Sequence, residues 1–212
     1  MARIPRTATV AISAVTALAW LITVLFVPPG AAEIGLGFIP IRVGFPAATI
    51  DGMWTAPALL TPLTATLVHS GPVHIGFNLL IFVWCGSQVE RILGRGPLIL
   101  IYLVGAYASA AGQWLADPAS AVPMIGASGA ISAVIGAFAL SFGRAKMITR
   151  SARLNRWINI VWLLAAWVVL QVLVGWTAGS QGYLLATPAH IGGFLAGLLM
   201  QRPLLLWKYR RA

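Results

Sequence analysis

Acidic residues are nearly absent from this chain. Four Asp and Glu stand among 212 residues, against fourteen Lys and Arg. An aspartyl intramembrane site needs two membrane-embedded Asp, and no apolar stretch holds even one. The zinc-protease pattern His-Glu-x-x-His is missing. His69 and His74 do not share a helix face, and no carboxylate lies near them, so nothing calls for a metal or another cofactor. The lone cysteine, Cys85, excludes an intrachain disulfide and reads as a small apolar residue. Charged residues of both signs make up 8% of the chain, where a soluble domain carries about 25%. Disorder is excluded too, because it requires low hydrophobicity.

What is present in quantity is apolar. Hydrophobic residues form 59% of the chain, and the mean hydropathy is +0.90. The natural solvent is a bilayer, where a spanning helix takes about 20 residues. Six apolar stretches stand out, at about 7–27, 73–89, 97–115, 128–142, 157–175 and 183–200. The first is longer than the apolar core of a signal peptide and is read as a span. The expected fold is all-α: a polytopic membrane protein, one six-transmembrane-helix bundle over residues 1–212. The connection 28–70 is the longest, and its apolar content places it on or partly in the outer leaflet. Most of the nine Trp are expected as interfacial anchors or packing residues.

The basic residues then act as topology signals. With the N-terminus inside, Arg3, Arg6, Arg91, Arg95, Arg144, Lys146, Arg150, Arg153, Arg156, Arg202, Lys208, Arg210 and Arg211 all fall on the inner side. Only Arg42 lies outside, with Glu33, Asp51 and Asp117. Such a bias fixes orientation, with both termini cytoplasmic. It accounts for the net charge of +10 without nucleic acid. The excess of Arg over Lys, with abundant Ala and Gly, is the composition of GC-rich bacterial coding, so a bacterial plasma membrane is the expected location.

Polar groups inside a bilayer are costly, so each needs a reason. His74, Asn78, Ser128 and His190 all fall toward the outer ends of spans two, four and six. With the sixth span starting near 183, His190 should lie about 10 Å below that start. His74 and Asn78 are four residues apart and share a helix face. Ser128, Ser132 and Gly136 share a face of span four, as do His190, Gly193 and Gly197 on span six. Small residues at this spacing let membrane helices approach closely. Where those faces meet, the Ser128 hydroxyl comes within reach of the His190 imidazole. A serine hydroxyl is a poor nucleophile until a base removes its proton, and histidine suits that task. Asn78, His74 and the Ser128 backbone N–H are the available donors for an oxyanion. No acid is spaced to orient His190, and Glu90 lies at the wrong membrane face, so the expected unit is a Ser–His dyad. His69, five residues before His74, points elsewhere and reads as structural at the loop-to-helix junction.

Taken together, these motifs resemble the rhomboid family of intramembrane serine proteases. The resemblance is carried by His69-x-x-x-x-His74-x-x-x-Asn78, by Gly86-x-x-x-Glu90-Arg91-x-x-Gly94, by Gly126-x-Ser128-Gly129 with Gly136, and by Ala189-His190-x-x-Gly193-x-x-x-Gly197. It covers roughly residues 54–200. It implies Ser128 as nucleophile, His190 as general base, and His74 and Asn78 at the oxyanion site. It implies membrane-protein substrates, often single-pass, cut near the outer membrane surface. Two departures stand out. A Trp-Arg pair common in the first outer loop is replaced by Leu60-Thr61. An aromatic residue four positions after the nucleophile, stacked on the base in some bacterial relatives, is Ser132 here. A rival reading is a catalytically silent relative that binds membrane-protein segments in quality control. Another is a small transporter, which needs a polar pathway across the bilayer, but the inner halves of spans two, four and six show few polar groups. The sequence leaves the oligomeric state open.

Overall fold

The computed structural model describes residues 7–45, 52–143, 147–180 and 186–210. Helix follows helix: α1 (Ala8–Phe26), α2 (Ala31–Leu36), α3 (Ile41–Gly44), α4 (Thr61–Thr64), α5 (Pro72–Leu93), α6 (Arg95–Ala116), α7 (Ser128–Phe142), α8 (Ala152–Ser180) and α9 (Thr187–Lys208). Five of these, α1, α5, α6, α8 and α9, are long and apolar enough to cross a membrane. No strand occurs among the described residues. The protein is an integral membrane bundle of helices.

α7 is the hub. It is 15 residues long, about 22 Å, shorter than a hydrocarbon core of roughly 30 Å. No residue from Ser128 to Ser141 is exposed. Its neighbours are α9, α6 and α5. The close approaches are made through glycine. A Cβ on Gly193 would run into the Gly129 carbonyl, one on Gly197 into the Ala133 carbonyl, and one on Gly136 into the Phe194 carbonyl. The faces read from the small-residue spacing therefore do meet. Ala130, Ala133, Val134 and Ala137 of α7 pack with Val89, Leu98 and Ile101 into the main core.

Element boundaries follow local chemistry. Thr7 caps α1 by accepting from the Val10 N–H at 3.2 Å. Gly94, at φ +96°, turns the chain between α5 and α6 with no further linker. α9 starts at Thr187, with Pro188 in its first turn. His190 is consequently in the first turn of α9, about 4.5 Å along it. The expected start at 183 falls outside the described residues. α9 also continues past 200 to Lys208, with Pro203 inside it. Its far end is held by Gln201, which donates to Ser141 Oγ at 3.2 Å, and by Lys208, which donates to the Ile92 carbonyl at 2.6 Å.

The described parts of the long connection, residues 28–45 and 52–70, are tied down by hydrogen bonds. Phe38 and Met124 exchange two backbone hydrogen bonds at 2.9 and 2.8 Å, and the Ile41 N–H donates to the Ser120 carbonyl at 3.0 Å. Thr64 Oγ1 donates to the Leu36 carbonyl at 2.6 Å. The connection is thereby pinned to the segment that leads into α7. Arg42, the one basic residue of this region, is buried and donates through Nη1 to the Ala56 carbonyl at 3.0 Å. Where the family pair would stand, Leu60 is exposed and Thr61 is buried, its hydroxyl donating to the Ala58 carbonyl at 2.6 Å. Trp54 is also exposed, as an interfacial anchor would be.

Candidate active site

The site is assembled where α7 begins. Gly126 has φ +104°, a conformation that penalises a side chain, and lets the chain enter α7 with Ser128 at its first position. The Gly126 N–H donates to the Ala65 carbonyl at 2.9 Å, and the Ala127 N–H donates to His69 Nε2 at 3.3 Å. The backbone before the nucleophile candidate is thus tied to the segment that precedes α5. His69 is buried and its ring meets that of His74 edge-on, with centroids 4.9 Å apart. It links loop to helix and stays out of the cavity. Burial, and next to it the neighbouring His74, lowers the His69 pKa to about 4.

Ser128 Oγ and His190 Nε2 are 2.8 Å apart. On the other side of the same ring, His190 Nδ1 lies 2.7 Å from Gln171 Oε1. Gln171 belongs to α8 and is buried. One turn earlier on α8, Trp167 donates from Nε1 to the His190 carbonyl at 3.3 Å and stacks on Phe194 at 4.7 Å between centroids. Gln171 was not among the sequence candidates. Its signal was available, since an amide within an apolar span needs a partner as much as an imidazole does.

His74, in the first turn of α5, is 3.2 Å from Ser70 Oγ through Nδ1. Its other ring nitrogen faces Gly126, where a Cβ would sit only 2.7 Å away. Bare glycine therefore leaves room for the His74 ring beside Ser128. Asn78 is buried one turn further along α5 and donates to the His74 carbonyl at 2.9 Å. A cavity of about 690 Å³ opens over the site, lined by Ser70, Gly71, Pro72, Val73, His74, Pro123, Met124, Ile125, Ser128, Ala186 and His190. The structure thus brings Ser128, His190 and His74 to one cavity and sets Asn78 just behind it.

Ser132, four residues after Ser128, is buried and turns back, donating to the Ser128 carbonyl at 2.8 Å. Glu90 is at the opposite end of α5, accepting from the Ala8 and Thr9 N–H groups at 2.9 Å each. Among the described residues no three of His, Cys, Asp and Glu lie together as a metal site would need.

Comparison with known proteins agrees with this architecture. The family model described as "Rhomboid domain" matches residues 56–207. The chain is 34% identical over 148 residues to Rhomboid protease GlpG of Photorhabdus laumondii, covering 70% of this chain and 47% of that protein. It is 29% identical over 140 residues to Rhomboid protease GluP of Bacillus subtilis, covering 66% of this chain and 24% of that protein. It is 26% identical over 165 residues to Rhomboid-type serine protease 2 of Emericella nidulans, covering 77% of this chain and 30% of that protein. The chain belongs to the rhomboid family, and it spans less than half the length of these three relatives.

Proposed function

We propose that this chain is an intramembrane serine endopeptidase of the rhomboid type, acting through Ser128 and His190. The observation that carries the reading is the 2.8 Å contact between Ser128 Oγ and His190 Nε2 at the floor of a 690 Å³ cavity. In the proposed reaction His190 takes the hydroxyl proton as Ser128 Oγ attacks a scissile carbonyl. His190 then returns the proton to the leaving amine, and water releases the acyl group by the same steps in reverse order. The backbone N–H of Ser128 and the ring of His74 would receive the oxyanion. For that role His74 must carry its proton on Nε2, the nitrogen nearer Gly126, with Nδ1 accepting from the Ser70 hydroxyl 3.2 Å away. Asn78 completes this group of donors in our reading.

The substrates we propose are membrane proteins, single-pass ones foremost. They would be cut near the outer surface of a bacterial plasma membrane, with both termini of the protease cytoplasmic. Segments rich in Gly and other weak helix formers suit the cavity, because an intact helix hides its carbonyls in hydrogen bonds. The test is cleavage of a single-pass substrate with a Gly/Ala-rich outer end in liposomes, by wild type and by Ser128→Ala side by side. Cleavage by wild type alone is expected. Equal cleavage by the Ser128→Ala protein removes Ser128 from the mechanism. A folded wild type that neither cleaves nor reacts with a fluorophosphonate favours a silent, segment-binding relative.

A further inference from the structure

We infer that Gln171 is the positioning residue of His190, completing a Ser128–His190–Gln171 relay; this rests on the protease reading above. A general base in this site must present a lone pair on Nε2 to the Ser128 hydroxyl. That requires the proton of the neutral imidazole on Nδ1, and a proton there needs an acceptor. Gln171 Oε1 is that acceptor, 2.7 Å from Nδ1, while Nε2 is 2.8 Å from Ser128 Oγ. Both His190 and Gln171 are more than nine-tenths buried, so water does not compete for Nδ1. An amide turned the other way would donate to Nδ1. The ring proton would then move to Nε2, and the serine could not give up its own.

Two further observations fit. Trp167 and Gln171 are four residues apart on one face of α8, and both engage His190, one at its carbonyl and one at its ring. Ser132 stands where some relatives stack an aromatic on the base, and its hydroxyl is turned to the Ser128 carbonyl. α8 therefore holds the Nδ1 side of the ring, and α7 meets it through Ser128 alone of these two residues. A neutral acceptor also suits the depth of the site. An aspartate would stabilise the imidazolium more strongly, but an unpaired carboxylate within a membrane span is costly. Glutamine fixes tautomer and orientation without adding a charge.

The experiment compares wild type, Gln171→Leu and Gln171→Glu in liposomes. Two readouts are taken: the rate of Ser128 labelling by a fluorophosphonate, and kcat and KM on one single-pass substrate. Gln171→Leu keeps the bulk and removes the acceptor. It is expected to lower kcat and the labelling rate by about 10–100-fold with KM unchanged, a part of the ~10²–10⁴-fold that a general base supplies. Gln171→Glu restores an acceptor and is expected to recover most of the labelling rate. Recovery by Glu supports the role even where the Leu protein folds poorly. Wild-type labelling by folded Gln171→Leu, or failure of folded Gln171→Glu to recover, overturns it while leaving Ser128 and His190 in place. A folded wild type that itself neither labels nor cleaves removes the protease reading, and the relay with it.

Discussion

The Thr9 hydroxyl donates to the Glu90 carboxylate at 2.6 Å, joining the first turn of α1 to the last turn of α5. The same carboxylate accepts the Ala8 and Thr9 N–H groups, which open α1 and have no partner within it. Negative charge at a helix start is favourable, and three buried donors converge on it. Arg95 Nε stands 3.7 Å away on the exposed side. The acid of the family-like Gly86–Gly94 motif thus staples two helices at the membrane face opposite the cavity.

Removing that staple should loosen the bundle without touching the reacting groups. Glu90→Ala leaves buried N–H groups unsatisfied and is expected to cost roughly 2–4 kcal/mol; Glu90→Gln, which keeps an acceptor, should cost less. Thermal unfolding in detergent measures this. An unchanged transition for Glu90→Ala would show that α1 does not depend on the contact.

Acidification should weaken the fold through His69. Its pKa is lowered from 6.5 to about 4, with burial the larger cause and His74 the next. The unfolded chain therefore takes up a proton that the folded one refuses. This contribution to stability is fully present above about pH 6.5, falls as the pH drops from there toward 4, and levels off below. Protonation would also take the Nε2 lone pair from the Ala127 N–H. Unfolding measured from pH 7.5 to 4.5 should show a slope for wild type that is smaller in His69→Gln. Parallel curves would assign the acid sensitivity elsewhere.

Gly197 should tolerate nothing larger than hydrogen. Its Cα faces the Ala133 carbonyl, and a backbone carbonyl cannot rotate aside as a side chain can. Gly197→Ala is expected to push α9 from α7, costing about 1–3 kcal/mol. Because His190 and Ser128 ride on these two helices, fluorophosphonate labelling should slow as well. Gly76, with open space around it, is the control: Gly76→Ala should leave both readouts near wild type.

The two donors on α5 should separate. His74 lines the cavity, whereas Asn78 is behind it and spends an amide proton on the His74 carbonyl. His74→Ala is expected to lower kcat by ~10²–10³-fold, the loss typical of an oxyanion donor. Asn78→Ala should lower it less. Equal losses would place the second Asn78 proton on the oxyanion directly.

How far all this could be read beforehand depends on the kind of signal. The meeting of α7 and α9 was legible, because Gly136, Gly193 and Gly197 record a close approach in residue size alone. The orientation of α8 was not. Its apolar stretch carries no such seam, so nothing in the spacing turns Gln171 toward His190, and a third member of the site was sought only among acids. The far end of α9 is not legible, because the apolar stretch stops near 200 and Pro203 lies inside the helix that continues past it. Contacts from Gln201 and Lys208 to distant residues hold the helix past it. Arg42 is legible as the one basic residue of the long connection. Its burial in the loop that lacks the Trp-Arg pair depends on tertiary contacts that no local pattern encodes.

The shortness and enclosure of α7 bear on how lipid can act on the site. Hydrophobic mismatch works on helices that touch acyl chains, by tilting them or thinning the bilayer around them. Residues Ser128–Ser141 of α7 are buried or partly buried, so bilayer thickness acts on Ser128 mainly through its neighbours α5, α6 and α9. The depth of the nucleophile candidate therefore follows its packing against those helices. A change in bilayer thickness would then be felt at Ser128 as a tilt of the helices around it.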